Sequence, residues 1–287
     1  MSVKKKIKNI LSFLLHGNPP RITANVVTMA SSELLKGRCA LITGGTSGIG
    51  LAIAKAFLNA GASVIITGRS QERLDKACTS LGCQGRVYSF VMDNTHVATF
   101  EPTFNQMLET VKRGGVNCID ILVNNAGVLG ASLPNATEEA YDAVLDTNLK
   151  GVFFLSQLIG KYMKENKIKG NILNVASSSS LRPAASAYTL SKWGIRGLTL
   201  GLAKSLIPLG ITVNAVAPGP TATPMLMRDG ETNLYKKIPL GRYVLPEEIA
   251  NMAVFLVSGM GKSIIGDVVY MTGGAGVISF DDVNYSF

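Results

Sequence analysis

The stretch from Arg38 to Ile53, RCALITGGTSGIGLAI, leaves few folds open to this chain. Cys39 to Ile42 is a short apolar run that breaks off at Thr43-Gly44-Gly45, and from Ile49 the apolar residues Ile49, Ile53 and Phe57 recur at helical spacing. The segment therefore reads as strand, tight turn and helix. Gly44, Gly48 and Gly50 carry no Cβ, so the turn, completed by Thr46, Ser47 and Ile49, can bend sharply and let a ligand approach the backbone. The free N–H groups and the positive end of the helix dipole face whatever sits in the turn, and a pyrophosphate fits that description.

The rest of the chain supplies context for the turn. From Gly37 onwards apolar strands alternate with helical segments, the pattern of a parallel sheet covered by helices on both faces. Seven strands are predicted, near Cys39 to Thr43, Ser63 to Thr67, Arg86 to Met92, Ile119 to Asn124, Asn171 to Ala176, Thr212 to Ala217 and Val268 to Met271. No second boundary is visible after residue 36, so residues 37–287 are expected to form a single Rossmann-type α/β domain. Residues 1–36 form an extension. Within it Val3, Ile7, Ile10, Leu11 and Leu14 fall at helical spacing beside a lysine cluster, and Pro19-Pro20 marks a linker. Such an amphipathic helix docks on its own domain or a subunit, or touches an anionic membrane.

Net charge is +9, but residues 1–36 carry +5 of it, leaving only +4 on the remaining 251 residues. That mild balance, with no interleaving of aromatic and basic residues, argues against nucleic acid as a partner. No apolar run approaches the ~20 residues needed to span a bilayer, so a soluble protein is expected. Cys39, Cys78, Cys83 and Cys118 show neither metal-ligand spacing nor a disulfide framework, which suggests a reducing, cytoplasmic setting. His16 and His96 are too isolated for a metal site or a Ser-His-Asp triad, and no metal is expected.

The second strand ends in Thr67-Gly68-Arg69-Ser70. About twenty residues beyond the glycine turn, a unit that prefers NAD places a carboxylate for the ribose 2′-hydroxyl. Here Gly68 and Arg69 stand instead, and a 2′-phosphate would pair with Arg69, so NADP(H) is expected over NAD(H). Asp93, just past the third strand, either accepts a hydrogen bond from the adenine amino group or caps a helix. The fourth strand runs into Asn124-Asn125-Ala126-Gly127, small residues that let a ligand lie along the carboxyl edge of the sheet. Asn148 is predicted in a helix from Glu138 to Lys164. The fifth strand delivers Ser177 to the same edge, and Tyr188 and Lys192 follow one helical turn apart. A phenol with a pKa of about 10 is a poor acid at neutral pH, but a nearby ammonium and a cationic nicotinamide would bring it down. Proton donation then becomes feasible.

With these residues assembled, the chain resembles the short-chain dehydrogenase/reductase family from about Leu35 to Val277. The resemblance is carried by Thr43-Gly-Gly-Thr-Ser-Gly-Ile-Gly50, Asn124-Asn-Ala-Gly127, Asn148, Ser177, Tyr188-x-x-x-Lys192, Pro218-Gly219 and Gly273-Gly274. It implies a doubly wound seven-stranded parallel sheet and interconversion of a carbonyl and an alcohol with a nicotinamide cofactor. By that likeness Tyr188 is the proton donor or acceptor, Ser177 polarises the substrate oxygen, and Lys192 binds the nicotinamide ribose and lowers the Tyr188 pKa. Asn148 would hold a water behind Lys192. Thr221 and Thr223 would fix the carboxamide and pyrophosphate, with Met225 to Lys237 as a lid. The likeness also implies a homo-oligomer, most often a tetramer, built on the helices of Asn148 and Tyr188.

This sequence departs from the family pattern at its active serine. Ser177 and Tyr188 are 11 residues apart, about two fewer than the family commonly shows, and Ser178, Ser179 and Ser180 follow at once. Any of the four could polarise the substrate. Two functions of different class are therefore carried forward: an NADPH-dependent carbonyl reductase, and a non-catalytic NADP(H)-binding sensor or scaffold. A membrane-anchoring adaptor rests on residues 1–16 alone. The substrate is not legible.

Overall fold

A computed structural model describes residues 31–82, 85–130, 132–227 and 234–276. The predicted amphipathic helix and linker, His16, Cys83 and the centre of the predicted lid lie outside the described residues. The described residues belong to one compact unit.

All seven strands are present: β1 (Cys39–Thr43), β2 (Ser63–Gly68), β3 (Val87–Val91), β4 (Ile121–Asn124), β5 (Asn171–Val175), β6 (Thr212–Pro218) and β7 (Val268–Met271). They pair in parallel in the order β3-β2-β1-β4-β5-β6-β7. The chain first winds outward from β1 to β3, then returns to β4 on the opposite side of β1. This reversal opens a crevice at the carboxyl ends of the central strands.

Among the described residues seven α-helices cover the two faces: α1 (Gly48–Asn59), α2 (Gln71–Leu81), α3 (Phe100–Arg113), α4 (Glu138–Leu145), α5 (Gly151–Glu165), α6 (Ala187–Leu206) and α7 (Pro246–Val257). Because successive strand side chains point to opposite faces, β1 sends Ala40 and Ile42 into a core with Ile53 and Phe57 of α1 and Ile249 and Ala253 of α7. Cys39 and Leu41 enter the other core, with Phe104 and Met107 of α3 and Leu155 and Ile159 of α5. Burial on both faces is why the strands read as continuous apolar runs. Chain before Gly37 also contributes. Leu35 is fully buried in the first core, and its N–H donates to the Ala60 carbonyl at 2.8 Å.

The predicted single helix from Glu138 to Lys164 is in fact two. A π-helical turn, Asp146–Lys150, separates α4 from α5, and Asn148 lies at its centre. Such turns occur where a wide turn positions a side chain that a regular helix would misplace.

At the amino edge, polar groups knit the strands together. Arg38 pairs with Asp120 and donates to Asn171 Oδ1 at 2.7 Å, while Asp120 accepts from the Cys39 N–H at 2.9 Å. β1, β4 and β5 are thus tied at the end remote from the crevice. Among the described residues no helix is long and apolar enough to cross a membrane.

Candidate active site

The glycine turn forms the floor of the crevice. Gly44 and Gly48 have φ of +64° and +54°, conformations that side chains with a Cβ rarely adopt. Gly50 is needed for space, since a Cβ there would run into the Asn125 amide and the Gly44 carbonyl. Asn125 Nδ2 donates to the carbonyls of Thr43 and Gly44 at 2.9 and 3.0 Å, and Thr43 Oγ1 accepts from the N–H groups of Asn125 and Ala126, both at 3.0 Å. These bonds lock the ends of β1 and β4 together.

Above the turn, Ser47 caps α1 with extended backbone, but its side chain makes no capping bond and no acid stands in the first turn. The positive end of the α1 dipole is left for an anion. Across the gap Gly48 faces Thr223, where a Cβ would lie 3.2 Å from the threonine methyl. The turn and the loop after β6 therefore form the two jaws of a cradle.

This cradle belongs to a cavity of about 690 Å³ bordered by the carboxyl ends of β1 to β6. Gly44, Thr46, Ser47, Gly48, Ile49, Arg69, Asp93, Asn125, Ala126, Gly127, Ser177, Tyr188, Lys192, Pro218, Gly219, Thr221 and Thr223 all border it. Of the residues predicted from sequence, Gly50 and Asn148 stand behind the wall. Asn148 Oδ1 accepts from the Val128 N–H at 2.8 Å, and its Nδ2 donates to the Val128 carbonyl at 2.9 Å and to Ser191 Oγ at 3.2 Å. Its amide thus clamps the wall segment after Gly127 onto α6.

Asp93 holds the loop after β3. Its Oδ1 accepts from the N–H and the hydroxyl of Thr95, both at 2.9 Å. Burial acts upward on this carboxyl, but the Thr95 bonds, with His96 and Arg69 nearby, outweigh it and hold the group below the usual carboxylate range. These bonds close a turn before the next helix, whose N-cap is Thr99, so Asp93 does not cap a helix.

Sequence reasoning missed two residues of this end. Arg73 sits in the first turn of α2, its N–H on the Ser70 hydroxyl at 3.3 Å and its guanidinium on Ser47 Oγ at 3.1 Å. Its helical spacing from Arg69 was the available signal. Asn94 also borders the cavity, and its buried Nδ2 has no protein partner.

At the other end, α6 begins at Ser186, whose Oγ accepts from the Thr189 N–H at 3.2 Å, and this cap sets the register of Tyr188 and Lys192. Lys192 Nζ donates to the Val175 carbonyl at 2.7 Å and lies 5.7 Å from the centre of the Tyr188 ring. Burial brings the Lys192 pKa down to about 8. Burial pushes the Tyr188 phenol up from its ordinary value, and a hydrogen bond with Ser177 pulls only partly against it. The expected drift of this phenol towards neutrality is therefore not a property of the chain by itself, because desolvation exceeds the help its neighbours give. The phenol stays protonated at neutral pH, the state a proton donor requires.

Ser177, Ser178 and Ser179 border the cavity, and Ser177 is the one bonded toward Tyr188. Its Oγ faces Tyr188 and also accepts from the Ser179 N–H at 3.1 Å. Ser180 is fully buried, bonded to the Ser177 carbonyl at 2.8 Å and to the Tyr270 hydroxyl at 3.1 Å.

Comparison with known proteins agrees with this geometry. Residues 38–234 match the family model described as short chain dehydrogenase. The chain is similar to the 3-oxoacyl-(acyl-carrier-protein) reductase of Thermotoga maritima, 38% identical over 247 residues, 84% of this chain and 98% of the relative. Among solved structures it is similar to a short chain dehydrogenase from Burkholderia cenocepacia in complex with NADP, with 34% identity, TM-score 0.74, and coverage of 84% of this chain and 98% of that one. The 3-ketoacyl-(acyl-carrier-protein) reductase of Brucella melitensis, complexed with NADH, matches at 30% identity and TM-score 0.76, covering 85% of this chain and all of the other.

Proposed function

This chain belongs to the short-chain dehydrogenase family, and on that premise we propose that it is an NADPH-dependent oxidoreductase that interconverts a carbonyl and a secondary alcohol, with Tyr188 as general acid/base. The observation that carries the reading is the convergence of Ser177, Tyr188 and Lys192 on the cavity whose far end is the glycine cradle. A non-catalytic sensor would have no use for a protonated phenol bonded to a serine hydroxyl beside a fully desolvated lysine.

The cradle fits a dinucleotide by its open helix terminus, its glycine jaws and the unpartnered Asn94 amide. NADPH would lie with its pyrophosphate on the first turn of α1 and would supply the hydride. Thr221 and Thr223 would hold its nicotinamide end, and Lys192 its ribose. Tyr188 donates its phenolic proton to the substrate oxygen as negative charge grows there. Ser177 orients and polarises that oxygen, and Asn148 keeps the Val128 wall in place behind it. The test is a screen of carbonyl compounds with NADPH oxidation as the readout.

The solved neighbours hold NADP in one case and NADH in another, so the preference rests on this chain's own charges. Arg69 and Arg73 border the same end of the cavity. A cation in the first turn of a helix opposes the dipole, and a 2′-phosphate between the two arginines would offset that cost. NADPH is expected to bind at least about tenfold more tightly than NADH, as one charge-assisted contact warrants. Arg69→Ala should erase most of the difference, and Arg73→Ala part of it. Equal affinities in the unmodified protein, measured by titration, would sink the assignment.

The same reading includes a homo-oligomer, a tetramer on the family's pattern. Leu190, Trp193 and Leu200 stand exposed in a stripe along α6, with Phe153 of α5 also exposed, and a Cβ at Gly197 or Gly201 would meet nothing within 4 Å. A stripe of large and absent side chains suits a matching helix from a second copy. Sedimentation should show an oligomer at micromolar concentration, and Leu200→Glu should shift it towards monomer. A monomeric unmodified protein would refute this.

A further inference from the structure

Besides Lys192, three basic side chains border the cavity among the described residues: Arg69, Arg73 and Arg182. They do not stand together. Strand order puts the end of β2 three places from β5, about 14 Å at the usual strand spacing. Arg69 and Arg73 follow β2, whereas Arg182 follows β5 on the side of Ser177 and Tyr188. The two groups thus rise from strands on different sides of the crevice.

Arg182 is built into the catalytic end. It closes the short 3-10 turn Ser178–Leu181 that begins at Ser177, with its N–H on the Ser179 carbonyl at 3.1 Å. Its own carbonyl accepts from Trp193 Nε1 at 2.9 Å, which ties it to the helix of Tyr188 and Lys192. The guanidinium lies along Gly276 (φ +72°), where a Cβ would come within 3.2 Å of Nε. Its arm is thus laid between the 3-10 turn and the chain that follows β7. Among the described residues Asp93 is the acid that borders the cavity, and it sits after β3 near Arg69, on the side away from Arg182.

Leu129, Met225 and Leu226 border the same cavity and are exposed. Four residues of tight turn separate Ser177 from Arg182, up to about 10 Å of backbone. We propose that the substrate is a carbonyl compound with an anionic oxygen group, a carboxylate or a phosphate, set several bonds from the reacting carbonyl across an apolar stretch, and that Arg182 binds this group. The inference rests on the oxidoreductase reading of Tyr188. A guanidinium offers paired N–H donors that match both anions, and a partly exposed pair of this kind warrants a preference of about tenfold.

The experiment is calorimetric titration of the full chain saturated with NADP⁺, where no reduction takes place. Oxo acids of increasing carbonyl-to-carboxylate spacing are compared with their methyl esters, and hydroxyketone phosphates with the parent hydroxyketones. At least one acid or phosphate should bind about tenfold more tightly than its neutral partner. Arg182→Gln should remove that preference without changing affinity for the neutral compound, and Arg182→Lys should restore part of it. The arm that shows the preference identifies carboxylate or phosphate as the source. If no anionic member binds more tightly than its neutral partner, or if the preference survives Arg182→Gln, the inference falls whatever reduction shows. If anions bind through Arg182 but NADPH reduces none of them, the anion site at Arg182 stands, while its assignment to a substrate falls with the oxidoreductase reading.

Discussion

Tyr188→Phe is expected to lower turnover by about a hundredfold or more while leaving NADPH affinity within a few-fold, because a positioned general acid supplies ~10²–10⁴ of rate. The substitution removes one hydroxyl and keeps the ring. That hydroxyl is bonded to Ser177, and burial keeps its proton in place at neutral pH. It acts on the substrate oxygen only as charge develops, so its loss belongs to the transition state and not to cofactor binding. Ser177→Ala should fall less far, since polarising the oxygen contributes less than delivering the proton. Stopped-flow hydride transfer with parallel cofactor titration measures both quantities. If Tyr188→Phe keeps more than about a tenth of the rate, another acid is at work.

Lys192→Met should weaken NADPH binding by about tenfold, cut turnover further, and yet make the cofactor-free protein more stable at pH 7. Burial lowers the lysine pKa from 10.5 to about 8, so its charge costs the folded state on the order of 3 kcal/mol below that pH. Methionine removes this cost but leaves the Val175 carbonyl without its donor, a loss of about 1 kcal/mol. The net gain is about 2 kcal/mol, the difference of those two terms. Its pH dependence follows from the depressed folded pKa. Below about 8 the lysine is charged in both states and the full cost is present. Between about 8 and 10.5 the folded state sheds its proton first, the wild type gains stability with rising pH, and the advantage of the variant shrinks. Denaturant unfolding from pH 7 to pH 10 would show this: a difference indifferent to pH would mean that burial does not depress the lysine pKa, and a variant less stable at pH 7 would mean that the lost bond to Val175 outweighs the cost of the charge.

Much of this protein is written in local patterns. The glycine turn, the seven strands and the Tyr188-to-Lys192 spacing depend on residues near one another in the chain, and local sterics and side-chain periodicity act at that range. Strands buried on both faces must be apolar throughout, so β1, β4 and β6 announce themselves. Other features depend on which distant elements become neighbours. Asn148 stands in a π-helical turn because its amide bonds the Val128 backbone and Ser191. Ser177 is bonded toward a tyrosine eleven residues on, and Arg73, after β2, rests on Ser47, after the neighbouring β1. Arg182 borders the cavity because it follows β5, which the strand order sets away from β2 and Arg69. The sequence carries the elements, because backbone geometry and burial are local demands. The strand order and the packing of α6 against β5 decide which side chains share one cavity, because that depends on contacts between residues far apart in the chain.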